Sequence, residues 1–128
     1  MDQNAAIEAV RYFGQRLDES GVRISKLILF GSHARGEATD ESDVDVLIIS
    51  DDFRGRDIFG RARIIRDPER ETIHRFHVPL DVVMMTPEEF ASGASLIAQA
   101  ARAGTVLLPE IPQPVSETGI PGTQTLSR

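Results

Sequence analysis

Residues 27–50 read LILFGSHARGEATDESDVDVLIIS. Two apolar runs, LILF and VLII, are separated by Gly31-Ser32, a spacer of ten residues and Asp43-Val44-Asp45. Each run is too apolar to show either side to water, so each predicts a strand buried on both faces. Along a strand, residues i and i+2 share a face with Cα atoms roughly 6.5–7 Å apart. Asp43 and Asp45 therefore project together, and Val44 and Val46 project into the opposite layer. Carboxylates rarely enter a core without a partner. Whatever fold this chain adopts must hold two acids side by side at the mouth of a core strand and give them something to bind.

A divalent cation relieves the repulsion between parallel carboxylates, and hard oxygen ligands suit magnesium. Magnesium prefers one or two carboxylates, some waters and a substrate phosphate to a full protein cage. The pair thus points to a phosphate-bearing ligand as well as to a metal. Gly31-Ser32 is the candidate phosphate grip. Glycine allows close approach of the backbone, and a serine at the start of a short helix offers a hydroxyl and N–H donors. Competing motifs fail on spacing. Gly31 to Gly36 has the span of a P-loop, but Glu37-Ala38 follows where Lys-Ser/Thr is needed. Val46-Leu47-Ile48 supplies none of the further oxygen ligands of a calcium loop. His74 and His77 lack companions at zinc spacing. His33 reads as a tolerated loop residue, and Met84 and Met85 as core filling.

The rest of the chain alternates helices with strands. Residues 3–20 predict an amphipathic helix whose stripe is Ile7, Val10, Phe13, Gly14 and Leu17, closed by Gly21. Strands are expected over 24–30, 43–49 and 78–85, with 32–38 a short helix or tight loop between the first two. A helical stretch is expected from about Asp57 to Phe76, kinked or divided at Asp67-Pro68-Glu69, which has the form of a helix start. Thr86 and Glu89 have capping-box spacing and begin a helix expected to reach Ala103, with Gly104 closing it. TVLL at 105–108 reads as a short final strand or packed extension. The expected fold class is α/β (α+β), a small mixed sheet of three or four strands flanked by helices. Residues 1–108 form the expected domain. Residues 109–128, with four prolines and no apolar periodicity, read as a flexible tail.

At 128 residues there is room for one domain, and 41% hydrophobic content is enough for its core. There are no cysteines, which removes disulfides and thiolate metal sites and fits a reducing, cytoplasmic setting. No apolar run approaches the roughly 20 residues of a membrane span, and MDQNAAIEAV lacks the basic start and apolar centre of a signal peptide. A net charge of −6 argues against a nonspecific nucleic-acid binder. Yet seven of the fourteen basic residues, all arginines, lie between Arg54 and Arg75 beside only four acids, Asp57, Asp67, Glu69 and Glu71. Such a segment is either a solvated helix face with i,i+4 pairs or a surface for phosphate or an acidic partner.

The stretch FGSHARGEATDESDVDVLI closely resembles the signature of the DNA polymerase beta-like nucleotidyltransferase superfamily: Gly-Ser, a spacer of about ten, then Asp-x-Asp on a strand. Ala34-Arg35-Gly36 and the Ser42 before Asp43 resemble the minimal nucleotidyltransferases, small single-domain proteins often encoded beside a helical HEPN partner. The likeness extends over roughly residues 5–108. It implies a third carboxylate on a later strand, and Asp81 is the one acid inside VPLDVVMM. By alternation Asp81, Val83 and Met85 face one layer, and Leu80, Val82 and Met84 the other. The resemblance implies that Asp43 and Asp45 bind two magnesium ions, that Asp81 binds one and helps deprotonate the acceptor, and that Gly31, Ser32, Arg35 and Ser42 bind nucleotide. The implied reaction is in-line attack on an α-phosphate with release of pyrophosphate.

Three functions follow. The first is transfer of a nucleoside monophosphate, AMP from ATP, to a hydroxyl of a partner protein, as an antitoxin acting on a HEPN-type toxin. The second is transfer to a small molecule, as in aminoglycoside-modifying relatives, which is weakened by the lack of an evident acceptor domain. The third is a non-catalytic module that neutralises a partner by contact through the arginine-rich segment. A homodimer or hetero-oligomer is compatible with all three. Neither a membrane nor a nucleic-acid partner is expected.

Overall fold

A computed structural model describes residues 2–93 and 95–108. The elements are α1 (Gln3–Glu19), β1 (Lys26–Phe30), α2 (Gly31–Arg35), β2 (Val44–Ile49), a 3-10 turn (Asp51–Phe53), α3 (Ile58–Phe76), β3 (Leu80–Met85), α4 (Pro87–Ser92), α5 (Leu96–Arg102) and β4 (Thr105–Leu108). The four strands form one mixed sheet in the order β3-β2-β1-β4. β1 pairs antiparallel with β2 and β4, and β2 pairs parallel with β3. A parallel pair needs a long crossover, and α3 supplies it.

The period of two in the central strands divides the core into layers. Leu27, Leu29, Val44, Val46 and Ile48 pack with Val10, Phe13 and Leu17 of α1 and Ile65 of α3. Ile28, Phe30, Leu47, Ile49 and Met85 pack on the other side with Ala98 and Ala101 of α5 and with Phe90 of α4. β1 and β2 are thus covered on both faces, as their unbroken apolar runs require. Leu80, Val82 and Met84 join the first layer and Val83 and Met85 the second, the alternation expected for β3.

The structure decides two expectations about helices. Of the kinked and divided forms expected around Pro68, α3 excludes the divided one and runs as a single helix through the proline. Asp57 is its cap, accepting from the Gly60 N–H at 2.8 Å. A mid-helix proline loses one N–H and crowds the carbonyl four residues back. Here the residues on both sides of it, Ile64 and Ile65 before and Phe76 after, are held by the first core layer, so tertiary packing overrides the local signal. The Thr72 hydroxyl also donates to the Pro68 carbonyl at 2.8 Å. Conversely, the stretch expected as one helix to Ala103 is two. Gly93, in the left-handed region at φ 66, ends α4, and the Ser95 side chain caps α5 by accepting from the Ala98 N–H at 3.0 Å. Local chemistry wins here because the short α4 has no buried residue to carry it onward.

Two other local expectations hold. The Thr86–Glu89 capping box forms in both directions, at 3.1 and 2.9 Å. β4 is present at the sheet edge. Ile7 is only partly buried, at the flank of the α1 stripe. Among the described residues no helix is long and apolar enough to cross a membrane. The tail expected over 109–128 lies outside the described residues.

Candidate active site

The end of β1 and the starts of β2 and β3 meet at one end of the sheet. Phe30 lies opposite Asp45 in the antiparallel pair, and Asp45 lies directly beside Asp81 in the parallel pair. Adjacent strands run about 4.8 Å apart, and residues in register project to the same side. Asp45 and Asp81 are therefore neighbours on the face that carries Leu47, Ile49 and Val83. Asp43 stands one residue before β2, exposed, with its charge still acting on Asp45.

Asp45 is held above the ordinary carboxylate range. Burial is the largest cause, followed by the charge of Asp81 and hydrogen bonding to it, and then by the charge of Asp43. Only His33 acts in the opposite direction. Negative charge thus accumulates at this end of the sheet, which is the environment a divalent cation would stabilise. Among the described residues no three His, Cys, Asp or Glu side chains close into a metal cage by themselves. The Asp45–Asp81 pair matches the one or two protein carboxylates that magnesium takes.

Gly31 begins α2 at φ 77, and a Cβ there would run into the Asp45 carboxylate, lying 3.0 Å from its Cγ. The glycine allows the turn from β1 into α2 to pass directly over Asp45. Ser32 follows, half-buried, and among the described residues its hydroxyl has no hydrogen-bond partner. Gly31→Ala is expected to destabilise the protein by about 1–2 kcal/mol from the left-handed backbone and to displace Asp45 as well. Urea unfolding checks the first effect; an unchanged midpoint would mean that the turn relaxes freely.

The other two residues expected to bind nucleotide have partners within the protein. Arg35 is exposed and paired with Glu37 at 2.8 Å. The Ser42 hydroxyl accepts from the Thr39 N–H at 2.9 Å and shapes the turn before Asp43. His33 is not the loop residue expected. It lies in α2, only 2% exposed, and its Nε2–H donates to the Ser42 carbonyl at 3.3 Å. The imidazole thereby ties the Gly-Ser helix to the segment that carries Asp43. A five-residue helix leaves too short a pattern for that burial to be read from sequence.

The profile of the nucleotidyltransferase domain family matches residues 10–105. A Methanocaldococcus jannaschii protein named "Putative protein adenylyltransferase" is 32% identical over 92 residues, covering 71% of this chain and 62% of that relative. This chain therefore spans less than two thirds of the relative's length. A "putative nucleotidyltransferase" from Sulfolobus solfataricus superposes with a TM-score of 0.58 at 18% identity, covering 81% of this chain and 80% of the other. A "putative minimal nucleotidyltransferase" superposes with a TM-score of 0.53 at 22% identity, covering 81% and 93%. At those identities the two structures bear on the fold alone. The match over residues 10–105 takes in α2, β2 and β3 with Gly31, Ser32 and all three acids, and on it the chain belongs to the nucleotidyltransferase domain family.

Proposed function

We propose that this protein is a magnesium-dependent enzyme that transfers AMP from ATP to a hydroxyl on a partner protein. The observation that carries the reading is the pairing of Asp45 with Asp81 beneath Gly31-Ser32. The name of the Methanocaldococcus jannaschii relative supports protein adenylylation. The resemblance of the motif to minimal nucleotidyltransferases supports a HEPN-type partner and an antitoxin role.

In this reading Ser32 donates its free hydroxyl to a phosphate oxygen. Asp43, Asp45 and Asp81 would hold the magnesium, which when bound neutralises charge on the triphosphate and on the leaving pyrophosphate. Asp81, on the edge strand β3, is the more open of the paired acids, and in this reading it serves the acceptor. It takes the proton of the attacking hydroxyl. The hydroxyl oxygen forms a bond to the α-phosphorus, the bond to the bridging oxygen breaks, and pyrophosphate leaves.

ATP with magnesium is expected to raise the melting temperature more than either alone. A ligand specific to the folded state adds about 2.7 kcal/mol at a hundredfold excess over its dissociation constant. Equal shifts with and without the metal would count against a shared site. Labelled ATP with magnesium and host lysate should then yield adenylylated protein, and absence of label with every nucleotide would overturn the transferase reading.

A further inference from the structure

The seven arginines between Arg54 and Arg75 separate by task. Arg54 bridges Asp51 and Glu88, and Arg61 clamps Glu89 while donating to the Met84 carbonyl at 3.1 Å. Arg75 stacks on Tyr12 and Phe76, and Arg56 lines a recess with Asp52 and Asp67. These four serve the fold or face nearby acids. Arg63 lines the same recess, but among the described residues Arg63, Arg66 and Arg70 make no side-chain hydrogen bond. All three are exposed on α3. Arg63 and Arg70 form no ion pair among the described residues, and Arg66 has only a 3.6 Å contact with its exposed neighbour Asp67.

The three belong to a longer stripe. Phe59, Arg63, Arg66, Arg70 and Ile73 follow one another at intervals of four, three, four and three residues. That alternation is the seam one helix presents to another. Over fourteen residues it extends about 21 Å. Its ends are apolar, with Phe59 72% and Ile73 37% exposed, and its middle is cationic. Arg66, Arg70 and Ile73 also line a recess of about 520 Å³ with Glu69 and His74. A merely solvated face requires neither a largely exposed phenylalanine nor a regular seam.

We infer that the outer face of α3 docks an acidic amphipathic helix of a partner protein, with carboxylates opposite Arg63, Arg66 and Arg70 and apolar residues against Phe59 and Ile73. Charge complementarity selects an acidic occupant. A nucleic acid fits less well, because Asp67, Glu69 and Glu71 interrupt the stripe's flanks and the protein carries −6 overall. Its backbone would also leave Phe59 and Ile73 without apolar partners. The C-terminal end of α3 leads through His77, Val78 and Pro79 into β3, but α3 covers the first core layer while Asp81 faces the second, so the stripe lies across the sheet from the acids. The inference goes beyond the transferase reading and rests on it only for the occupant's role.

The test uses the full chain without nucleotide and follows fluorescence anisotropy. The probes are a helical peptide of about 20 residues, long enough to cover the stripe, with glutamates at the three central seam positions and leucines at its ends; a scrambled peptide of the same composition; and single-stranded and duplex DNA. The seam peptide is expected to bind more tightly than its scramble. R63E/R66E/R70E is expected to weaken it by about tenfold or more, the sum of three exposed charge pairs. If that variant does not fold, the corresponding glutamine triple gives the same readout. Equal binding of seam and scrambled peptides, unchanged binding by a folded triple variant, or displacement of the peptide by DNA would each overturn the inference. Failure here leaves the shift by ATP with magnesium intact, and failure of that shift leaves the docking result intact.

Discussion

Asp45→Asn is expected to raise the melting temperature of the ligand-free protein at pH 7 while removing transfer activity. Asp45 is partly buried, flanked by two other carboxylates, and held above its ordinary value of 3.8. In the unfolded chain it ionises near that value; in the folded protein it ionises later. Its ionised form therefore costs stability, and the cost grows as pH rises from about 3.8 to the folded-state value and stays at its full size above it. Asparagine removes the charge and can donate a hydrogen bond to Asp81. The gain in melting temperature should be present at pH 7 and disappear below about pH 3.8. The same change removes a carboxylate that, with Asp43, is proposed to hold the nucleotide-bound magnesium. Loss of one preorganised electrostatic element costs about 10²–10³ in rate, and the stabilisation by ATP with magnesium should vanish with it. Thermal melts across pH, with and without ATP and magnesium, check both halves. A less stable variant at pH 7 would mean that the Asp45 carboxylate is a net stabiliser of the fold.

Asp81→Asn is expected to separate binding from chemistry. The residue opens to solvent from the edge strand, whereas Asp45 lies under Gly31. Removing a positioned base costs on the order of 10²–10⁴ in rate. The variant should bind ATP with magnesium almost normally, keep its fold, and transfer more slowly by that factor. Single-turnover transfer at saturating ATP measures this directly. Wild-type turnover would take Asp81 out of the proton-accepting role and leave the in-register pair with a purely electrostatic one.

Much of the site was legible because its signals are local. A period of two placed Asp43 and Asp45 on one side of a strand and Val44 and Val46 on the other, and the layers of the core follow that division. The same alternation assigned Asp81 to the layer of Val83 and Met85. The Gly-Ser step after LILF and the Thr86–Glu89 box are likewise encoded within a few residues. Where a local signal met long-range packing, the outcome could not be read so directly. Asp67-Pro68-Glu69 has the form of a helix start, yet α3 continues through it because residues on both sides pack into the core.

The sequence by itself determined which segments form strands, which face each acid takes, and that a glycine and a serine precede the acids. Only the tertiary structure decided that Asp45 lies beside Asp81, since residues 36 positions apart meet through the register of a parallel pair that no local pattern records. It also decided why position 31 is glycine, where a Cβ would meet Asp45 itself. The structure likewise buried His33 against the Ser42 carbonyl and separated the arginines that clamp the fold from the three that face outward. Local patterns fix the direction of a side chain relative to its own strand or helix. Its neighbours are fixed by how elements far apart in sequence align when the core closes.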